Sequence, residues 1–385
     1  MRTIGFIIFL SIFFAIYGLV NYYIFIRGWQ ALPPVAPWRR AYLLVFLVLA
    51  LSFIAGRFLE RAWISPISDA MVRVGSFWLG AMLYFFLAVL ALDILRLVNH
   101  FLPLYPRRVA DNYQTTKQWL ALATCGLVIL IVIAGHINAL IPRMKNITLR
   151  IPKKTDGIRS LSIAVASDIH LGTMVGRNRI DRIVEQINGM NADLVLLPGD
   201  IVDEDLGPVI HHNLGESLKN IRSRYGVVAI TGNHEYIGGA QRACDYLTEH
   251  GVTMLRDGVL RIEGGIFLVG REDRSFNQFS GRKRRPLEEI MAGVDKDYPV
   301  ILMDHQPFRL EEAVSNGADL QLSGHTHHGQ LWPFNHITSA IFEVSWGYRQ
   351  IGRTHVYVSS GVGTWGPPVR VGNRPEIVHL TLLFD

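Results

Sequence analysis

The sequence predicts an α/β chain in two parts: a bundle of four transmembrane helices over residues 1–145, then a layered α/β domain over 146–385. Three observations carry that prediction. Long apolar runs crowd the N-terminal part. From Ile158 onward, short β-branched runs alternate with amphipathic stretches. Five of those short runs end in carboxylate, imidazole or amide side chains.

The apolar runs cover about 4–26, 41–58, 74–98 and 119–137. A helix crossing a bilayer needs about 20 mostly apolar residues, and the shorter second run is accommodated by tilt or a thinned bilayer. No small-x-small cleavage site follows the first run before Arg27, so it reads as a retained helix and not a signal peptide. Trp29, Trp38, Tyr42, Trp63, Trp78, Tyr105 and Trp119 lie at or near run ends, where interfacial aromatics belong. Asp93 reads as an interfacial carboxylate paired with Arg96, in preference to part of an ion path. Basic residues on the side of the two termini (Arg2, Arg57, Arg61, Arg73 and the group from Arg143 to Arg159) outnumber those on the other side (Arg27, Arg39, Arg40, Arg96, Arg107, Arg108, Lys117), which favours a cytoplasmic C-terminal domain.

The net charge of +6 comes mainly from those flanks and from one cluster, Arg282-Lys283-Arg284-Arg285. No basic stripe interleaved with aromatics appears, so no nucleic-acid partner is expected. The cluster reads equally well as a solvated loop or as a contact for acidic lipid head groups. Cys125 and Cys244 fall in different parts and form no Cys-x-x-Cys, which excludes a thiolate metal site and argues against a disulfide.

In the second part, strands are predicted over 161–166, 193–197, 227–230, 267–270, 300–303, 320–322, 355–358 and 377–383. Helices are predicted over 178–191, 213–222, 240–250, 287–294 and 309–316. Ser167-Asp168-Ile169-His170 follows the first of these strands and Gly199-Asp200-Ile201-Val202-Asp203 the second. Gly232-Asn233-His234-Glu235 follows the third, Asp304-His305 the fifth and Gly324-His325-Thr326-His327-His328 the sixth. The C-terminal ends of parallel strands open on one crevice, so these side chains should converge. Packed carboxylates repel, and imidazoles with carboxylates but no thiolates suit Zn, Mn or Fe. The number of ligands is too large for one tetrahedral ion and suits two, about 3.5–4 Å apart with a carboxylate between them. The glycines before Asp200, Asn233 and His325 are expected to permit sharp turns.

This motif set, from about Leu161 to the C-terminus, resembles that of the calcineurin-like metallophosphoesterases, and the tail resembles a bacterial membrane-associated branch of them. The tail segments concerned are 324–330, 357–363 and 374–377, with Gly270-Arg271-Glu272-Asp273 as a further loop motif. The resemblance implies a β-sandwich flanked by helices, not a plain doubly wound sheet. It implies that Asp168, His170, Asp200 and His327 hold one metal ion and that Asp200, Asn233, His305 and His325 hold the other. His234, oriented by Asp203, would face the leaving group. Two positions depart from the pattern. Glu204 stands where related Ser/Thr protein phosphatases carry Arg, which argues against a protein phosphatase, and His328 stands where the branch has Gly.

The chemistry expected of such a site is hydrolysis of a phosphomonoester, phosphodiester or pyrophosphate. Two dications would acidify a bridging water and His234 would protonate the leaving oxygen. A membrane location favours lipid-linked phosphates as substrates. A catalytically inactive membrane scaffold is the competing reading; retention of every ligand argues against it. A transporter would require buried charge that the four runs lack.

Overall fold

The computed structural model describes residues 2–385 and divides into two compact units, Met1–Gly135 and His136–Asp385. The four predicted apolar runs lie within helices Arg2–Ala31, Ala36–Ala62, Pro66–Phe101 and Tyr113–Ala139. All four are long and apolar enough to cross a membrane. The third starts sharply because Ser65 and Ser68 cap each other reciprocally and Pro66 occupies the first turn. A Cβ on Gly75 would overlap the backbone of Phe53, so the second and third helices touch backbone to backbone.

Ile24, Phe46, Ala50 and Trp78 form the centre of this unit, and Trp78 Nε1 donates to Asn21 Oδ1 at 3.0 Å. Leu44, Val48, Leu122 and Leu130 remain exposed on outward faces. Asp93 does meet Arg96 (3.3 Å), but its closer partners are Arg27 (2.7 Å) and the Tyr23 hydroxyl (2.6 Å).

The second unit contains twelve strands: β1 (Arg143–Ile151), β2 (Ser160–Val165), β3 (Leu194–Pro198), β4 (Val227–Ile230), β5 (Val252–Met254), β6 (Gly258–Arg261), β7 (Phe267–Gly270), β8 (Val300–Met303), β9 (Leu320–Ser323), β10 (Gly347–Ile351), β11 (Thr354–Val358) and β12 (Glu376–Phe384). They form two six-stranded sheets, ordered β1-β12-β2-β3-β4-β5 and β10-β11-β9-β8-β7-β6. β2 to β5 run parallel, as do β7, β8, β9 and β11.

Alternation along the strands builds the layers. Leu194 and Leu196 of β3 and Ile301 and Met303 of β8 face a common core between the sheets. Val195 and Leu197 face outward against Ile180, Ile183 and Ile187 of the helix Arg177–Gly189. Val300 and Leu302 face the opposite way, against Leu287, Ile290 and Ala313. The result is a sandwich of two mixed sheets with helices on both outer faces, as the resemblance implied.

Some expectations at the edges fail. The helix expected over 213–222 is only the short piece Gly215–Leu218; a second short helix, Leu206–His211, precedes it, and Asn213 at φ +50° separates the two. The one expected over 287–294 ends at Ile290. β1 was not foreseen: its basic residues read as a membrane flank, yet it pairs in parallel along the full length of β12.

Candidate metal centre

The tips of β2, β3, β4, β8 and β9 carry the predicted residues to one edge of the sandwich. Forcing them there strains the backbone. Asp168, His170, Asp200, His325 and His327 all have φ between +45° and +71°, a region few side-chain-bearing residues enter. Such strain costs of order 1–3 kcal/mol per residue and gathers where function over-determines the geometry.

The glycines work differently from the expectation. Gly199 does turn at φ +89°, but among the described residues Gly232 and Gly324 are not in the left-handed region. They are needed for space: a Cβ on Gly232 would strike the Asp200 carboxylate, and one on Gly324 would strike Ser167 and Asp168.

Two groups of potential ligand atoms result. Asp168, His170 and His327 converge in one, and Asp200, His305 and His325 in the other. Within the first, His170 Nε2 lies 3.0 Å from His327 Nε2, which lies 3.5 Å from Asp168 Oδ1. Within the second, Asp200 Oδ2 lies 3.0 Å from His305 Nε2, and His325 Nδ1 lies 2.7 Å from Asn233 Oδ1. Asp200 Oδ2 is also 4.0 Å from His170 Nε2, so this carboxylate stands between the groups. Beside them, His234 Nδ1 lies 3.2 Å from Asp203 Oδ1, and the His234 ring meets that of His170 edge to face at 4.6 Å. His170, Asp203 and His234 form a third potential ligand group.

These residues fit divalent cations. Pro198 O can only accept, so His305 Nδ1, 2.7 Å away, carries the ring proton. The Nε2 lone pair of a neutral His305 then faces a carboxylate oxygen, which requires a proton or a cation between them. His305 Nε2, His170 Nδ1 and Asp168 Oδ2 are buried atoms with no hydrogen-bond partner. Burial alone would raise the Asp200 carboxyl, but His305 and His234 override it and hold it well below the usual carboxylate range. Burial works against a charged His305, yet Asp200 prevails and drives its pKa well up. His327 and His325 go down, chiefly by burial and then by neighbouring imidazoles, to the neutral form that ligates metals. His327 has one contrary feature. Arg370 Nη2 donates to its Nδ1 at 3.1 Å, so in the metal-free ring the proton sits on Nε2 and must leave before that atom can ligate.

Sequence reasoning assigned no role to Glu235 or Arg370. The Glu235 carboxylate is 1% exposed and accepts four backbone N–H bonds, from Asp200, Ile201, Val202 and Gly232. It locks the loop after β3 to the loop after β4. Arg370 is fully buried and also donates to the carbonyls of Gly361 and Gly363. Glu235 was visible in its motif; Arg370 lies in no spacing pattern.

Other singled-out residues lie outside the cluster. The Arg271 to Asp273 motif buttresses the tips: Arg271 Nη1 pairs with Asp304 (3.1 Å), Glu272 accepts from Thr231 Oγ1 (2.9 Å), and Asp273 accepts from Gln306 (2.9 Å). Arg284 is taken up by Asp304, so that member of the basic cluster is structural; the Arg285 guanidinium, on an exposed residue, donates to the Asp257 carbonyl at 3.2 Å. His211 and His212 are exposed. His328 packs against Trp346 at 5.5 Å, with Nδ1 3.1 Å from Ser345 Oγ.

A family model described as calcineurin-like phosphoesterase matches residues 161–329, a span that contains all the predicted ligands together with Asp203 and His234. An uncharacterised metallophosphoesterase of Helicobacter pylori is 35% identical over 231 residues, which is 58% of this chain; the chain spans only 60% of that protein's length. An uncharacterised metallophosphoesterase of Aquifex aeolicus is 30% identical over 250 residues, 64% of this chain and 94% of the relative. A transmembrane protein with metallophosphoesterase domain from Danio rerio is 29% identical over 376 residues, 92% of this chain and 83% of the relative. Relatives are therefore eukaryotic as well as bacterial, a wider group than the bacterial branch the tail resembles.

Proposed function

This chain belongs to the calcineurin-like phosphoesterase family, and on that premise we propose that it is a membrane-anchored hydrolase of phosphoric esters that works with two divalent cations. The observation that carries the reading is the Asp200 carboxylate, fully buried between two groups of imidazole and carboxylate donors. Asp168, His170, Asp200 and His327 would hold one cation, and Asp200, Asn233, His305 and His325 the other, as Mn, Fe or Zn. When bound, the pair supplies Lewis-acid charge to the phosphoryl oxygens and an acidified water.

His234 is the general acid. Burial disfavours its charged form, but Asp200 and then Asp203 overcome this and push its pKa up to about 9 in the metal-free chain. With cations held at the neighbouring ligands, that value would move back toward neutrality, where an acid transfers its proton best. Asp203 orients the ring so that Nε2 is left for the leaving oxygen.

Anchoring is supported by the four apolar helices and by the Danio rerio relative, whose name describes a transmembrane protein. The helices ending at Ala139 form the anchor and the strands from Arg143 onward the hydrolase, on the cytoplasmic side by the basic-residue bias. A substrate that itself sits in the bilayer, a phosphorylated or diphosphorylated lipid, gains most from this arrangement.

The test is hydrolysis of a chromogenic phosphodiester and a monoester by detergent-purified protein, with added Mn²⁺, with EDTA and with Asp200→Asn. Metal-dependent turnover lost in the variant is expected, with activity falling below about pH 6, where histidine protonates. A protein that holds no metal and turns over neither ester overturns the reading in favour of an inactive scaffold.

A further inference from the structure

The N-terminal unit holds a half-open cavity of about 510 Å³, a size suited to a small-molecule ligand. Its wall is almost wholly apolar, with Ile24, Phe46, Leu49, Trp78 and Leu120 among the lining residues. One end is different. There the C-terminal ends of helices Arg2–Ala31 and Pro66–Phe101 meet the N-terminal ends of Ala36–Ala62 and Tyr113–Ala139, and Arg27, Arg96 and Lys117 line the cavity beside a single carboxylate, Asp93.

Asp93 already binds both arginines, at 2.7 and 3.3 Å. Lys117 lies over the Tyr113 ring at 4.9 Å. Arg27 Nε is buried with no hydrogen-bond partner. Three bases around one acid leave excess positive charge at this end, where the Arg27 and Arg96 side chains are 33% and 41% exposed, and an anion at the level of the head groups would neutralise it. Guanidinium donors are shaped to take a phosphate on two N–H groups at once. An inorganic anion would satisfy the charge but not the wall. From Lys117 to Cys125 the lining descends about 12 Å along its helix, with Leu120, Ala121, Thr124 and Cys125 facing the cavity and no charged group below Lys117 on this helix.

We propose that this cavity is a binding site for an anionic phospholipid, its phosphate held by Arg27, Arg96 and Lys117 and a hydrocarbon chain inserted between the helices. The inference rests on the membrane reading of these helices and not on the catalytic one. The basic end lies at the N-terminus of the helix Tyr113–Ala139, so the head group belongs to the bilayer face where that helix begins.

The test uses full-length Asp200→Asn protein in non-ionic detergent, so that turnover of a lipid is not confused with its binding. Thermal midpoints are compared with phosphatidylglycerol, with phosphatidylcholine and with inorganic phosphate. Phosphatidylglycerol should raise the midpoint by about 3–5 °C and the other two by less than about 1 °C. Lys117→Gln should cut the shift by half or more, and Thr124→Trp, which fills the apolar end, should abolish it. An equal shift with phosphatidylcholine or with phosphate alone, or an undiminished shift in both variants, overturns the proposal. Native mass spectrometry of the unaltered protein needs no variant to fold: anionic lipid retained in preference to zwitterionic lipid supports the site, and no such preference sinks it.

Discussion

Asp200 and Asp304 follow the tips of β3 and β8 and are equally buried, each 2% exposed. Their surroundings are opposite. Asp304 is compensated from within the chain: Arg284 reaches both of its oxygens at 2.9 and 3.1 Å, and Arg271 adds a third contact at 3.1 Å. Among the described residues, Asp200 has no arginine or lysine on it. It faces His305 and His170, and the nearby Asp168 and His170 each hold an atom that no hydrogen bond satisfies. Where the fold wants only rigidity, it supplies guanidinium. Where it withholds guanidinium from a buried acid, the compensating charge has to come from outside.

The sharpest break of that contrast is at Asp200. Asp200→Asn keeps the acceptor that receives His234 N–H at 2.9 Å, so the fold should survive while bound metal drops and kcat/KM falls about 10³-fold or more, roughly 4 kcal/mol. Metal content and kinetics measured on one preparation decide this. His234→Asn should lose about 10²–10⁴-fold in kcat with the metal retained; loss of metal instead would make His234 a ligand. On the other side of the comparison, Arg284→Ala should cost about 3 kcal/mol of stability, read by urea unfolding, and leave metal content per folded chain unchanged. Added metal should not rescue it.

The pH dependence of stability should also separate the two regions. In the metal-free chain the raised pKa of His305 means that its pairing with Asp200 stabilises fully below the unfolded histidine pKa and is lost as pH rises through the folded one. A cation replaces that proton, so metal-loaded protein gains where metal-free protein loses. The gap between the melting temperatures with Mn²⁺ and with EDTA should widen from pH 6 to pH 8; a constant gap would mean that no proton is displaced at the site. The smallest effect is expected at His328. Glycine there removes the ring from Trp346 but relieves a φ of +45°, and the two should cancel to within about 0.5 kcal/mol with activity changed less than twofold.

Much of the site was legible because its information is local. Each ligand sits within a few residues of a strand whose β-branched pattern is plain, so the strand end and the chemistry are read together. Glu235 shows where that stops: its residue type was visible, but three of its four donors lie more than thirty residues back in the chain, in the loop after β3. Arg370 acts through a tertiary contact that no spacing announces. β1 was hidden because Arg143, Lys145 and Arg150 suit a membrane flank as well as an edge strand, and only pairing with β12 distinguishes them. The basic cluster stayed open between two readings for a related reason, since charge in a sequence does not say whether a carboxylate is waiting for it.

The close approach at Gly232 and Gly324 has a consequence for how such chains diverge. A ligand can be exchanged for another with a lone pair, since histidine, asparagine and aspartate all present one. No residue is smaller than glycine, and at these two positions even a methyl group would occupy the place of the Asp200 or Asp168 carboxylate. A saturation library at Gly199, Gly232 and Gly324 should therefore return glycine far more uniformly than one at Asn233 or His325 returns its parent. In distant sequences the empty side chains outlast the donors as a marker of the site.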